Sequence, residues 1–415
     1  ESIKSIATEI KKSSANAEDQ IAGALQYDQR EVRYLGIEIG ENSHKPSSAD
    51  ETLKRRYGDC KDKAVLLISL LRELNIEAYP ALVNTDLKKE LINTLPSISS
   101  FDHVIVQIRH NNKSYWLDPT RQYQYGSLKD IYQPYYDYAL VINQDEKILT
   151  PIKPDQVKSR YFVKDTFDLT SENRNEVTYT SESEYYGLNA ERTRNQLATN
   201  GLTKTQSDYL DFFKGYYPSI KTIEPFTYTD KPSQNKLYGH EKYSIENFWV
   251  INESKTKYNE NFYANAVPSY LKEPEQPTLK EPVRITYPVN IKQTIEATFN
   301  SDGWEFSNEH FVEDNEFFYF LSDVKYDDSK KLLTLDYEYK SKASYVSADK
   351  IDSYIEALNR AGDNLGYGIY ENIKTSAPAA EESPIDWPVV IIATYVILFL
   401  LVFFLWLYDS RRNPF

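Results

Sequence analysis

Apolar positions recur at helical spacing in the first part of the chain and at every second position over most of the remainder. The helical spacing marks Ile3 to Lys12, Asp19 to Arg30 and the strongly apolar Ala64 to Leu74. Short apolar or alternating runs come next and predict strands over Ala78 to Val83, His103 to Arg109, Ser114 to Asp118 and Tyr138 to Ile142. Helices followed by a group of strands predict an α+β unit over residues 1–150.

From Tyr161 onward the alternation is between polar and aromatic or branched residues, as in VTYTSESEYY, KLYGHEKYSI and LLTLDYEYKS. Such segments predict antiparallel, sandwich-like sheets. Helical inserts are expected at Ala190 to Ala198, Gln206 to Phe213 and Ala348 to Arg360. The Pro-rich stretch from Pro268 to Pro288 predicts a division into two β-rich domains, 155–275 and 280–372, the second with a C-terminal helix. A length of 415 residues agrees with two or three folded units.

The pattern changes once more at the C-terminus. Residues 373–386 include TSAPAAEESP, too poor in apolar side chains to fold, and predict a tether. Residues 387–408, WPVVIIATYVILFLLVFFLWLY, carry no charge and would span about 33 Å as a helix, enough for one bilayer crossing. Arg411 and Arg412 follow, and Glu381 and Glu382 precede, which predicts a cytoplasmic tail at 409–415. The expectation is a single-pass protein of the inner (cytoplasmic) membrane, with the bulk of the chain in the periplasm or outside. No Met or signal-like run stands ahead of Glu1, so a processed or truncated product is expected.

Composition narrows the chemistry. A formal charge of −14 argues against a nucleic-acid partner, which would need clustered Lys and Arg. With one Cys there is no intrachain disulfide and no Cys-rich zinc site. His44, His110, His240 and His310 stand outside any metal-ligand spacing, so neither a metal nor a cofactor is expected.

The candidate chemistry centres on Tyr57-Gly58-Asp59-Cys60-Lys61-Asp62-Lys63, immediately ahead of the apolar helix. Asp59 is a plausible N-cap and Asp62 stands three residues on, so the helix is expected to open at Cys60. Unpaired N–H groups and the helix dipole there favour a thiolate and could hold an oxyanion. A thiolate nucleophile needs a base and a group that orients the base. Both are expected in one hairpin, 101–118, turned at Asn111-Asn112, since Asn tolerates positive φ. That turn sets Asp118 opposite Ile105, with His103, Ile105 and Asp118 on one face and Val104, Val106, Ile108, Tyr115 and Leu117 on the other. His103 and Asp118 become diagonal neighbours within reach of a hydrogen bond. Tyr34, Tyr57 and Trp116 are candidates to line the acyl site.

Tyr34 to Gly40 (YLGIEIG), YGDCKDK, LLISLLRELNIEAYPALV, FDHVIVQI and YWLDPT together resemble the transglutaminase-like core of bacterial proteins in the wider papain-like thiol group. The resemblance covers about residues 20–142 and implies Cys60 as nucleophile, His103 as general base and acid, and Asp118 as orienter. It also implies a preceding domain of unknown function, which has no counterpart in these residues. The expected function is a membrane-anchored, extracytoplasmic cysteine acyl-transfer enzyme, a peptidase, amidase or transglutaminase acting on an envelope protein or peptide. The sequence leaves open whether water or an amine resolves the thioester. The alternative is a catalytically silent envelope binding or scaffold module that uses the β-rich domains, with a membrane-protein partner as one option.

Overall fold

A computed structural model describes residues 2–36, 44–133, 135–153, 159–171, 176–274, 282–300, 304 and 306–373. The apolar run 387–408, the tail 409–415 and all but the first residue of the expected linker lie outside the described residues. Among the described residues no helix is long and apolar enough to cross a membrane.

The first unit runs α1 (Ile3–Ser13), α2 (Ala17–Glu31), β1 (Arg33–Tyr34), α3 (Ala49–Arg55), β2 (Tyr57–Gly58), α4 (Cys60–Glu73), β3 (Ala78–Val83), β4 (His103–His110), β5 (Lys113–Leu117), β6 (Tyr138–Val141) and β7 (Thr150–Pro151). Strands β3 to β7 form an antiparallel sheet in the order β5-β4-β3-β6-β7. One face, with Ala78, Val106, Ile108 and Leu117, packs on α1, α2 and α4. The opposite face carries a smaller cluster of Val83, Ile105, Trp116 and Val141. Two-residue side-chain alternation therefore sorts β4 between two cores. Helix α3 is short, and no helix was expected there.

The second region contains β8 (Ser159–Leu169), β9 (Glu176–Gly187), α5 (Leu188–Lys214), β10 (Ile220–Lys231), β11 (Lys236–Glu246), β12 (Val250–Ile251) and β13 (Lys257–Tyr263). It continues with β14 (Val283–Arg284), β15 (Asn290–Phe299), β16 (Glu309–Asp314), β17 (Phe318–Asp327), β18 (Leu332–Ser341), β19 (Tyr345–Val346), α6 (Ile351–Gly362) and β20 (Gly366–Asn372). Eight of these strands make one sheet in the order β10-β11-β9-β8-β15-β18-β17-β16. Neighbours are antiparallel except β8 and β15, which run parallel from Asn290 opposite Arg160 to Phe299 opposite Leu169.

That parallel pair crosses the expected domain boundary. Segments 155–275 and 280–372 share one sheet and one apolar core, to which Phe167, Tyr179, Phe262, Leu335, Tyr339, Leu358 and Ile369 all contribute. The physical reason is that β8 and β15 would otherwise each present an open edge, and parallel pairing needs only a long crossover, which the intervening chain supplies. The high tyrosine content is used inside this core, where Tyr179, Tyr243, Tyr337 and Tyr339 are buried.

The two expected inserts at Ala190–Ala198 and Gln206–Phe213 belong to one helical segment, α5, broken at Gly201 with φ 74° and ψ 168°. Glycine alone adopts such a conformation without a Cβ penalty, so polar residues between the inserts join the helix on both sides of the break.

Candidate active site

Helix α4 opens at Cys60 because Asp59 caps it. The Asp59 carboxylate accepts from the amides of Lys61 (2.9 Å) and Asp62 (3.1 Å), and the Asp59 amide donates to the Asp62 carboxylate at 3.2 Å. This reciprocal pair satisfies donors that the first turn cannot satisfy internally. It also narrows the expected anion site: the amides of Lys61 and Asp62 are already engaged by Asp59, and the amide of Lys63 donates to the Asp59 carbonyl.

Behind Cys60 the helix is anchored by Lys63, 1 % exposed, whose ammonium lies 2.9 Å from Asp28 and donates to the carbonyls of Asp28 and Val32. Those carbonyls end α2, and Arg33 begins β1, which pairs in parallel with β2 just ahead of Cys60. Gly58 is required at that junction, since a Cβ would come within 2.7 Å of the Asp62 Cβ.

The hairpin takes the register expected from its turn. Asn111 (φ 49°) and Asn112 (φ 59°) form the loop, and Val106 faces Leu117. Strand β5 ends at Leu117, so Asp118 lies one residue past the ladder. The His103 Nε2 and Asp118 Oδ2 atoms are 3.1 Å apart. The Cys60 sulfur lies within hydrogen-bonding reach of the His103 imidazole. Burial pulls the His103 pKa down, but hydrogen bonds and charge from Asp118 and Cys60 outweigh it and raise the value from 6.5 to about 10. Burial pushes Asp118 up, yet His103, Thr120 and Arg121 bring it from 3.8 to about 2. Both the Asp118 carboxylate and the Cys60 sulfur thus favour the protonated form of the ring.

The geometry thus brings together a Cys at a capped helix start, a His at the start of a strand and an Asp one residue past its hairpin partner. The profile of the transglutaminase-like superfamily matches residues 4–119, the stretch that carries all three. This segment is a transglutaminase-like core.

The chain is also similar to a crystal structure of a "putative protease" from Parabacteroides distasonis, with 10 % identity and a TM-score of 0.49, over 89 % of this chain and 55 % of that one. The chain therefore spans about half the length of that protein. A "putative cysteine protease" from Cytophaga hutchinsonii aligns at 21 % identity and a TM-score of 0.23, over 29 % of this chain and 38 % of that one. No curated protein matches the sequence.

Several side chains that the sequence did not single out hold Asp118 in the transglutaminase-like core. Tyr136 donates its hydroxyl to Asp118 Oδ2 at 3.1 Å and sets its ring edge-on to His103, with centroids 5.9 Å apart. Burial and the Asp118 charge keep that hydroxyl protonated far above neutral pH. The amide and hydroxyl of Thr120 donate to Asp118 Oδ1 at 3.0 and 2.6 Å. The Gln29 amide group donates to the Asp118 carbonyl at 3.0 Å. The Asp-Pro-Thr sequence is a legible signal for the Thr120 contact, because an Asp side chain readily caps the backbone two residues on. Tyr136 and Gln29 arrive from separate segments and carry no local signal.

The three candidate lining residues are placed differently. Trp116 is 5 % exposed and packs with Ile105 and Val83, so it backs the sheet beneath the site. Tyr34 and Tyr57 are 42 % and 43 % exposed on β1 and β2, and Tyr57 lies under the Arg55 guanidinium at 5.0 Å. Cys60 itself is 3 % exposed, which limits it to a narrow approach. Among the described residues no cluster of side chains could hold a metal ion.

Proposed function

We propose that the chain is a cysteine acyl-transfer enzyme of the peptidase type, acting on peptide or amide carbonyls through Cys60, His103 and Asp118. The observation that carries this reading is the buried imidazole between Asp118, at 3.1 Å, and the Cys60 sulfur at the capped start of α4.

The Cys60 sulfur adds to the substrate carbonyl carbon, and the carbonyl π electrons move to oxygen, which meets the Cys60 amide. As the intermediate collapses, the C–N bond breaks and His103 gives its proton to the departing amine, leaving a thioester on Cys60. His103, now neutral, takes a proton from water or from an incoming amine as that nucleophile attacks the thioester. Expulsion of the Cys60 sulfur yields a carboxylic acid or a new amide. Asp118 keeps one ring face and one tautomer throughout. Water defines a peptidase or amidase, an amine a transamidating enzyme.

In this reading residues 387–408 anchor the enzyme in the inner membrane with the core outside the cytoplasm, and the substrate is an envelope protein or peptide. The support is the sequence pattern alone: an uncharged run flanked by Arg on one side and Glu on the other.

A small neutral reagent tests the chemistry without knowledge of the substrate. Iodoacetamide labelling of Cys60 is followed by intact mass at about pH 6 and about pH 9, below and above the free-thiol range. The expected result is labelling at the lower pH that drops at least about tenfold in His103→Ala, because the imidazolium no longer supports a thiolate. Equal, slow labelling of both proteins would favour a binding module. One feature suits that second reading, a broad hollow on the eight-stranded sheet lined by Lys164, Glu182, Tyr228, His240 and Lys292, remote in sequence from the thiol.

A further inference from the structure

The stretch from Asp118 to Asp130 forms no strand or helix, although it begins with the residue that orients the candidate base. Without a backbone ladder, its course is set by side chains. Two helices, α2 and α5, supply several of them. From within the core, α2 contributes Gln29, which bonds the Asp118 carbonyl at 3.0 Å and the Gln124 side chain at 2.8 Å. From the β-rich region, α5 contributes Glu191.

Glu191 is 2 % exposed and is surrounded by donors. It accepts from Arg121 at 2.9 Å, from Gln124 at 3.1 Å and from the Asn235 side chain at 3.0 Å. A carboxylate this deep is retained only when paired and hydrogen-bonded, and here the partners belong mainly to the segment that bears Asp118. Arg121 stands three residues after Asp118 and is shared between the two acids, since its charge also helps to keep Asp118 ionised. Gln124 passes the restraint on to Gln29 and so to the Asp118 carbonyl. Two routes from one β-domain carboxylate converge on the orienting Asp.

We infer that Glu191 is a positioning residue for the candidate site: acting through Arg121 and Gln124, it fixes Asp118 against His103, so that the β-rich region completes the thiol centre of the transglutaminase-like core. The inference rests on the proposed thiol chemistry. The acid or base groups facing Asp118 are His103 from β4, Tyr136, and Arg121 from its own segment, so Arg121 is the route by which a charge on α5 reaches it.

The test uses the full chain and the Cys60 labelling profile. Glu191→Gln and Arg121→Gln each lower labelling at about pH 6 by about tenfold, the effect of one lost charged hydrogen bond, and leave labelling at about pH 9 unchanged. The double variant loses less than the sum of the two single losses, because part of the effect of Glu191 passes through Arg121. A merely destabilised fold would instead alter labelling at both pH values and lower the melting temperature in proportion. Arg121 is a quarter exposed and gives a second, milder lesion should Glu191→Gln fold poorly. A wild-type-like profile in both single variants, or additive losses in the double, would overturn the inference. Should wild type itself label independently of His103, the thiol chemistry falls and the inference with it; a normal His103 dependence with unaffected Glu191 and Arg121 variants overturns the inference alone.

Discussion

Tyr136 donates its hydroxyl to Asp118 Oδ2, the oxygen that also faces His103 Nε2, and both contacts measure 3.1 Å. A single carboxylate oxygen therefore serves as the reference point for two rings that touch edge to face. The ring of Tyr136 limits where the imidazole can tilt, and its hydroxyl limits where the carboxylate can turn.

Removing only the hydroxyl separates those roles. Tyr136→Phe keeps the ring edge on His103 and loses one hydrogen bond to an ionised group, a cost of about 1.5–3 kcal/mol. The expected outcome is Cys60 labelling at about pH 6 slowed by roughly tenfold or more. Tyr136→Ala is slower again. Equal rates in wild type and Tyr136→Phe would show that the hydroxyl does not hold Asp118.

The His103–Asp118 pair makes stability depend on pH in a stated window. His103 is raised from 6.5 to about 10, so its contribution is complete below 6.5 and is lost as pH climbs toward 10. Asp118 is lowered from 3.8 to about 2, so its contribution is complete above 3.8 and is lost as pH falls toward 2. The two shifts describe one interaction and are counted once. Asp118→Asn is expected to cost of order 3 kcal/mol between about pH 4 and 6.5, and less on either side. Urea midpoints of both proteins across that range provide the check, and a difference independent of pH would contradict the pairing.

Lys63 and Asp28 form a second buried pair, joining α4 to α2. Burial raises Asp28 from 3.8 to about 7 against the pull of Lys63. A raised carboxyl pKa contributes stability below 3.8 that is lost as pH rises toward 7. Lys63→Met leaves an ionised Asp28 unpaired at alkaline pH and is expected to cost about 3–5 kcal/mol there. The penalty should shrink toward lower pH, where Asp28 is protonated with or without Lys63, and Asp28→Asn added to Lys63→Met should recover part of it. Chemical denaturation at about pH 5 and about pH 8 distinguishes this from a penalty that ignores pH, which would indicate lost packing alone.

How much of this protein was written in the sequence depends on the range of the interaction. The start of α4 was legible because capping is a matter of four consecutive residues, and Asp59 and Asp62 bond as their spacing dictates. The register of the hairpin was legible for the same reason: Asn111 and Asn112 accept positive φ, and a two-residue loop leaves one pairing that keeps Val106, Ile108 and Leu117 on the helix-facing side. Those two local facts already placed Cys60 at a helix start and His103 diagonal to Asp118.

The rest was decided in three dimensions. Alternation along β8 and β15 announced strands, but not that the two would pair in parallel and merge the expected β-rich domains, since strand partners are chosen by edges that come together only on folding. Trp116 looked like a site residue by position and became sheet packing by burial. Tyr136, Gln29, Arg121 and Glu191 gained their meaning from segments far apart in the chain. The sequence by itself determined the short-range geometry, because backbone capping and turn chemistry act over a few residues; only the tertiary structure decided what holds Asp118 in place, because hydrogen bonds between distant side chains exist only once both are buried together.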